Sequence, residues 1–280
     1  MQPCHSPVLG PRREDPRRAQ RPGAAFSCLD LLTTIGVLAL LALLLTPALA
    51  RTRVTDYAFQ CKHNMRRLIL GWQMYAEENN GNLPNCFDWV PDYPGYLSYA
   101  ANNSDNTNVA YLQNSALGPY VRDVTVFKCP ADRSLALEGA VFLPRVRSVS
   151  MSQSFCAQNE GHLEDNKPGY YRHYVNVADM VLPAPANLWV MIDESPDSVN
   201  DAAFAVKMDP YGATWQDLPS ILHYGGCGFA FADGHSEIHK WNDNRTLTQL
   251  KVKYAPCMYG LVQPNNADIR WLQDRTTAPK

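Results

Sequence analysis

The side chains with the most evident chemistry in this 280-residue chain lie in its last third. An acidic stretch, DESPDSVND, begins at Asp193, and several histidines follow from position 223 onward. Carboxylate oxygens are the donors that calcium prefers, whereas imidazole nitrogens favour zinc and other transition metals. The sequence therefore predicts a site for a calcium or a zinc ion, and its candidate ligands are Asp193, Glu194, His223, Asp233 and His235.

The same residues also have a purely structural interpretation. Asp233 precedes Gly234, and such a pair is common in tight turns. The histidines would then lie on the surface of a hairpin or form hydrogen bonds in the core. The sequence leaves both interpretations open.

Motifs that carry enzymatic chemistry are not found along the chain. HExxH, GxSxG and a glycine-rich phosphate loop are all missing from the sequence. We therefore expect no catalytic residues and a protein that is not an enzyme. The formal net charge of −2 also gives no reason to expect a nucleic-acid partner.

A loop rich in asparagine, tyrosine, proline and aspartate is expected at residues 85–114, where no periodicity is found. Its aromatic side chains suggest a platform for a sugar, and the simpler alternative is that they fix a long loop to the domain. These side chains are Trp89, Tyr93, Tyr96 and Tyr99.

Cysteine usage favours disulfide bonds over a structural zinc site. The chain has eight cysteines, and those beyond residue 50 are Cys61, Cys86, Cys129, Cys156, Cys227 and Cys257. An even number in an exported domain suggests disulfides, and six cysteines allow about fifteen pairings. No CxxC pair occurs, which disfavours a structural zinc site. A free buried thiol remains the alternative for any one cysteine.

A long helix is the element that must position these residues. Residues 31–50 carry no charge, and about 20 such residues are what a helix needs to cross a bilayer. Further on, apolar positions recur in steps of three and four, as on one face of a helix. They are Val54, Ala58, Cys61, Met65, Leu68, Trp72 and Tyr75. Gly81 and Pro84 end the pattern. We expect a membrane-spanning half, 26–50, and an amphipathic half, 51–84.

The remaining chain, 85–280, has the pattern of one domain with both helices and strands. Apolar segments between turn residues predict strands at 148–155 and 187–193. Two further strands flank Asp233 and Gly234, and this pair predicts a two-residue type I′ hairpin. Other predicted elements are a strand around Val126 and short helices at 111–121 and 266–275.

The first 25 residues predict a cytoplasmic leader outside the fold. They hold five arginines against Glu14 and Asp15. The positive-inside rule favours the cytoplasm for this segment, although Arg51 and Arg53 on the far side weaken the asymmetry. A cleaved secretory signal is the competing interpretation, because small residues at 47–50 offer a cleavage site, but the apolar run exceeds the usual signal core.

The junction of leader and helix resembles the processing site of type IV pilins and type II secretion pseudopilins. In that family a peptidase cuts before a phenylalanine and methylates the new amine, and an acidic fifth residue pairs with the amine of a neighbouring subunit. Ala25 and Phe26 would flank the cut, with Asp30 as the fifth mature residue and Pro47 as the twenty-second. The family usually has glycine in place of Ala25, which bears on cleavage efficiency. It usually has glutamate in place of Asp30, and the shorter aspartate reaches less far toward the neighbouring amine.

The predicted hairpin carries a more specific resemblance. His223, nine further residues and then Asp233-Gly234 match the H-X9-DG pattern of a prepilin-type family of bacterial proteins common in the Planctomycetes–Verrucomicrobia lineage. The helix segment 61–84 and the blocks VFKCPAD, SVSMSQSF and IDESPDSVND are similar as well. The likeness covers most of 26–241, and the loop 86–108 is less typical.

These resemblances imply a pilin-like α+β fold, in which a long N-terminal helix lies on an antiparallel sheet with loop insertions. They imply a structural subunit of a pilus-like or pseudopilus fibre, anchored in the inner membrane, with its C-terminal domain in the periplasm or in a surface fibre. The implied partners are a prepilin peptidase, sister subunits and the assembly or secretion machinery. The alternatives are a membrane-anchored binding protein for a sugar or another ligand, and a metal-dependent periplasmic enzyme.

The pilin-like fold also implies one disulfide bond. Cys61 lies on the apolar face of the helix, and Cys129 ends a block that such a fold packs against that face. A Cys61–Cys129 bridge is therefore expected. Cys86–Cys156 and Cys227–Cys257 are the pairs that remain by elimination.

Overall fold

The computed structural model divides the chain into two units, Met1–Leu49 and Ala50–Lys280. It describes residues 27–90, 103–157, 163, 169–208, 214–253 and 260–280, and for residues 44–55 it describes the backbone only. The predicted leader, 1–25, and the aromatic residues Tyr93, Tyr96 and Tyr99 lie outside this part of the chain.

Helices and strands both occur in the described residues. The α-helices are α1 (Cys28–Glu78), α2 (Val109–Gln113), α3 (Gly118–Val121), α4 (Asn244–Gln249) and α5 (Ala267–Gln273). The strands are β1 (Leu135–Glu138), β2 (Val141–Pro144), β3 (Val149–Ser152), β4 (Trp189–Asp193), β5 (Ala203–Phe204), β6 (Thr214–Trp215), β7 (Gly226–Phe231), β8 (Ser236–Lys240) and β9 (Leu261–Val262). The expected α+β class is confirmed.

Helix α1 carries the predicted apolar face in its second half. Cys61, Met65, Leu68 and Trp72 are all buried, as the steps of three and four require. The helix ends at Glu78, where Asn80 adopts a positive φ of 57° and the Gly81 amide donates to the Ala76 carbonyl. This closing bond satisfies a carbonyl that the helix itself leaves open.

The expected membrane-spanning segment, 26–50, lies only partly in the described residues. Among the side chains that are described, no helical stretch is both long and apolar enough to cross a membrane. Residue 26 and the side chains of 44–50 lie outside the description.

A five-stranded sheet forms the centre of the second unit, in the order β5-β3-β4-β7-β8. Its neighbours pair antiparallel except β3 and β5, which pair parallel. Apolar side chains of α1, β3 and β4 share one buried cluster, and those of β4, β7 and α5 share a second. The sheet therefore separates two layers of core, and α1 covers one of them.

Several predicted elements formed where the sequence placed them, and others did not. Segments 148–155 and 187–193 contain β3 and β4, and 266–275 contains α5. The predicted strand around Val126 is wrong, because residues 124–127 form a 3₁₀ helix capped by the Asp123 side chain. Residues 111–121 hold parts of two short helices instead of one.

The hairpin between β7 and β8 is confirmed, but its predicted turn type is wrong. The Gly234 amide donates to the Phe231 carbonyl, and the Phe231 amide donates to the His235 carbonyl. Within this loop, only Gly234 has a positive φ, of 93°, whereas a type I′ turn needs two consecutive residues with positive φ. The loop has three residues, 232–234, with glycine in the left-handed position.

The cysteines pair differently from the main expectation. Cys86 and Cys156 form a disulfide bond with Cα atoms 4.9 Å apart, which is the pair that had followed only by elimination. The expected Cys61–Cys129 bridge is not formed, because both are free and buried thiols. Cys227 is also a free buried thiol, and Cys257 lies outside the described residues.

Candidate metal centre

Four side chains that are distant in the sequence meet in the interior of the second unit. They are Cys61, Cys129, Asp193 and His223, and one ligand atom from each lies within 4.8 Å of the others. Each comes from a different place in the fold: helix α1, the segment after the 3₁₀ helix 124–127, the end of β4, and the loop before β7. Together they form a group that could hold a metal ion.

Local backbone geometry delivers His223 to this group. Tyr224 and Gly225 both have positive φ, of 53° and 72°, so the chain reverses directly after the histidine. The His223 amide donates to the Gly226 carbonyl at 3.3 Å, which closes the reversal onto the start of β7. The sequence HYGG therefore places His223 just before β7 and lets the strand start directly after the reversal.

Gly228 in strand β7 makes room for Cys61. A Cβ atom at position 228 would lie 2.7 Å from the Cys61 Sγ atom, closer than a carbon and a sulfur can approach. Close packing against helix α1, and not a positive φ, therefore explains the glycine. A larger residue here would force the Cys61 thiol to shift.

Hydrogen bonds involve three of the four side chains and leave two atoms without partners. The Cys129 Sγ lies 3.2 Å from the His223 Nε2, and the Ser148 hydroxyl donates to the Asp193 Oδ1 at 2.7 Å. Ser148 also accepts from the Cys129 amide at 2.9 Å. In the described residues the Asp193 Oδ2 and the His223 Nδ1 are buried without a hydrogen-bond partner.

Burial shifts the pKa of these groups toward their neutral forms. It raises the pKa of the Asp193 carboxyl to about 7 and that of the Cys129 thiol well above its usual value. Burial, with the charge of Lys240, lowers the pKa of His223 to about 4. At neutral pH the imidazole is therefore uncharged, which is the form that binds a metal. A bound cation would favour the charged thiolate and carboxylate, and would therefore oppose the effect of burial on their pKa values.

The structure brings together two of the five candidate ligands named from the sequence. Asp193 and His223 belong to the group, whereas Glu194, Asp233 and His235 do not. His223 and Asp233 are separated by β7, whose six residues span about 20 Å. The nine residues of the H-X9-DG pattern are thus the reversal, a strand and one turn residue.

Asp233 and His235 have turn roles on the surface. The Asp233 Oδ1 accepts from the His235 amide at 3.0 Å and contacts the His235 Nδ1 at 2.6 Å. The turn rests on helix α1, since the Arg66 guanidinium donates to the Gly234 carbonyl and the Gln73 amide donates to the Ala232 carbonyl. The structural interpretation of Asp233 therefore fits the described contacts.

Glu194 points away from the metal group into a second buried acidic site. Its two oxygens accept from the Ser150 and Ser198 hydroxyls. Burial and the charge of Asp217 raise the pKa of Glu194 well above its usual value. Burial also raises the pKa of Asp217 to about 7, although the Ala205 amide donates to its carboxyl.

We expect Asp217→Asn to stabilise the protein more at pH 8 than at pH 5. A carboxyl whose folded pKa is raised contributes stability that is complete below its unfolded pKa, about 4, and lost as the pH rises through 7. Asparagine keeps an oxygen for the Ala205 amide and carries no charge beside Glu194. The measurement is the difference in Tm between the variant and the wild type across this pH range.

Asp243→Asn is the matched control for this titration. Hydrogen bonds from the Arg245 side chain lower the pKa of Asp243, so its titration lies below the range tested. Its offset in Tm should be constant from pH 5 to pH 8. An equally constant offset for Asp217→Asn would mean that Asp217 is ionised throughout this range.

A surface cavity of about 700 Å³ lies beside the metal group. Its lining is mainly apolar, with Phe59, Val109 and Val146 among the contributors. The charged side chains that border it, Lys128, Asp132 and Arg145, are bonded within the protein. Cys129 also borders it. Trp89, a candidate for a sugar platform, is elsewhere: it is buried against Phe127 and donates to the Ala202 carbonyl at 2.8 Å.

Asp30, expected to act in assembly, caps the start of helix α1. The Ser27 amide donates to the Asp30 carboxylate at 3.0 Å, and the Asp30 amide donates to the Ser27 hydroxyl at 3.2 Å. This reciprocal pair is a capping box, which the pattern S-x-x-D signals. Pro47 lies within α1 but its side chain is outside the described part, as are Ala25 and Phe26.

Cys61 and Cys129 are ligands of the group that the sequence does not predict. Their positions favour a disulfide, and the lack of a CxxC pair disfavours zinc. One signal was available in the sequence: Cys61, on the buried helix face, and His223 both belong to the blocks that resemble one family.

Comparisons with protein-family models, curated proteins and solved structures gave no match to this chain.

Proposed function

We propose that the protein is a structural subunit of a pilus-like or pseudopilus fibre, anchored in the inner membrane with its globular unit on the periplasmic side. The observation that supports this most is the packing of α1 in the second unit. Cys61, Met65, Leu68 and Trp72 are buried in one cluster with side chains of β3 and β4. A long helix covering a largely antiparallel sheet is the arrangement that the pilin resemblance implies.

The proposal gives the first part of the chain the role of assembly. The uncharged residues 31–50 would anchor the subunit before assembly and lie among sister helices afterwards. Asp30 would then meet the methylated amine of a neighbouring subunit. A prepilin peptidase and the assembly or secretion machinery would be its partners, and no catalytic residue is assigned.

We expect the mature chain to begin at N-methyl-Phe26. The cut must precede the acidic residue by a fixed distance if the carboxylate is to reach the neighbouring amine. Mass spectrometry of the N-terminal peptide from native membranes measures this directly. A mature chain that begins after Ala50 would replace the proposal with an ordinary secreted protein.

Asp30 variants separate assembly from helix capping. Asp30→Ala removes both the charge and the capping acceptor, whereas Asp30→Asn keeps an acceptor for the Ser27 amide. Both variants should be processed at Phe26 and both should be missing from sheared fibres. Fibres that contain Asp30→Asn at the wild-type level would show that the charge is not used in assembly.

A second candidate function is a membrane-anchored binding protein, and the cavity beside Cys129 favours it. Its largely apolar walls suit a small apolar ligand. A monomer from native membranes that never enters fibres, and that co-purifies with such a ligand, would support this function instead.

A further inference from the structure

We propose that Cys61, Cys129, Asp193 and His223 bind one zinc ion in a closed tetrahedral site that fastens helix α1 to the sheet. The inference does not depend on the fibre proposal, because every ligand lies in the second unit.

The donor set selects the ion. Two thiols, one imidazole and one carboxylate are the ligands that zinc takes in proteins, whereas calcium takes oxygen donors in larger number. Zinc bonds of about 2.3 Å to sulfur and 2.0–2.2 Å to nitrogen and oxygen place tetrahedral ligand atoms about 3.3–3.8 Å apart. The four ligand atoms lie within 4.8 Å of one another, and the Cys129 Sγ to His223 Nε2 distance is 3.2 Å. Small side-chain adjustments would complete the tetrahedron.

The unpartnered atoms point to a ligand at this place. Asp193 is fully buried, and its Oδ2 has no hydrogen-bond partner in the described residues, although its Oδ1 accepts from Ser148. Leaving a carboxylate oxygen unpaired in the interior is costly, and metal coordination removes that cost. Ser148, which also accepts from the Cys129 amide, would orient both a carboxylate and a thiolate ligand.

The charges around the group also suit a zinc thiolate centre. Zinc with two thiolates and one carboxylate carries a net charge of about −1. The Lys240 ammonium donates to the His223 carbonyl oxygen, whereas Lys128, next to Cys129 in sequence, is paired with Asp132 at 3.8 Å. Binding transfers the two thiol protons, and any proton on Asp193, to solvent.

Four protein ligands make the site structural. Catalytic zinc keeps one position open for water or substrate, and structural zinc has four protein ligands. All four residues here are buried, and Cys129 alone of the four borders the surface cavity. The ion would join α1, the segment before β1, the end of β4 and the loop before β7 at one point.

Zinc content of the full-length chain, purified in detergent, tests the inference. We expect one zinc per chain by elemental analysis, loss of that zinc with a chelator, and a lower Tm after the loss. Adding zinc back to the stripped wild type should restore both values, and this test needs no variant. A stripped chain that binds no zinc with its thiols free would overturn the proposal. A Cys61–Cys129 disulfide in the freshly isolated protein would do the same.

Variants locate the ion. His223→Ala and Cys129→Ala should reduce the zinc content at least tenfold. Gly228→Ala should weaken zinc retention while all four ligands remain, because its methyl group displaces the Cys61 Sγ. Cys227→Ala removes a buried thiol that donates to the Asp193 backbone carbonyl but supplies no ligand atom, and it should keep one zinc.

Asp233→Asn is the control for the competing hairpin site and should also keep one zinc. If Asp233→Asn loses zinc and His223→Ala keeps it, the ion lies at the turn and the assignment is overturned. If ligand variants fail to fold, cobalt added to the stripped wild type reports the same site. Absorption bands of tetrahedral cobalt with thiolate ligands are expected, and a six-coordinate oxygen spectrum would contradict the proposal.

Discussion

Replacing Cys86 and Cys156 together by alanine should lower the free energy of unfolding by about 4 kcal/mol. The bridge joins residues 70 positions apart, and the chain-entropy model assigns a cross-link of this length about that value. Both cysteines are fully buried, and alanine introduces no polar atom at either position. Chemical denaturation of the variant and the wild type, under oxidising conditions and with zinc present, measures the difference.

A reductant provides the control for the disulfide prediction. It should lower the stability of the wild type to the level of the double variant and leave the variant itself unchanged. If free-thiol titration shows that the bond is reduced and the wild type is still more stable than the variant, the loss comes from packing at the two positions instead of the covalent link.

Trp72→Ala should lower the free energy of unfolding by about 3–5 kcal/mol, the range for truncation of a large buried aromatic side chain. The Trp72 ring is 1% exposed and meets the Phe155 ring edge to face, with centroids 5.5 Å apart. The variant would leave a cavity between helix α1 and the short 3₁₀ helix Gln153–Phe155. Denaturation monitored by circular dichroism measures the loss.

Two variants on the same helix calibrate this result. Trp72→Phe keeps an aromatic ring against Phe155 and removes an indole N–H that has no partner in the described residues, so a much smaller loss is expected. Met74 is 47% exposed on the opposite face, and Met74→Ala should change stability by less than about 0.5 kcal/mol. A loss from Trp72→Ala as small as that from Met74→Ala would mean that the helix contributes little to the core.

Periodicity predicted the helix well because burial of one face follows directly from its steps. Cys61, Met65, Leu68 and Trp72 were placed correctly from spacing alone. The partners of that face were not predictable in the same way. Cys61 could meet any of several cysteines, and only the folded backbone decides that its neighbours include an imidazole and a carboxylate as well as Cys129.

Local turn chemistry was predicted in part. Asp233-Gly234 marked the hairpin, but the number of loop residues depends on how β7 and β8 pair, and their register joins Ala230 to Ser236. The hairpin of β1 and β2 was missed, although Gly139 at its turn has a positive φ of 62°. Buried and exposed side chains do not alternate in β2, because all four of its residues are exposed. The sequence therefore lacks the period of two that predicts a strand.

Strand β7 runs along helix α1, so the H-X9-DG spacing matches the length of the helix segment between Cys61 and Gln73. His223 at one end meets Cys61, and the turn at the other end meets Gln73, twelve helix residues further, which is about 18 Å. The strand spans about 20 Å over the same route. Insertion of one residue into β7 would turn its side chains to the wrong faces. Insertion of two would require about one additional turn in the helix, so length changes in the two elements are tolerated only as a pair.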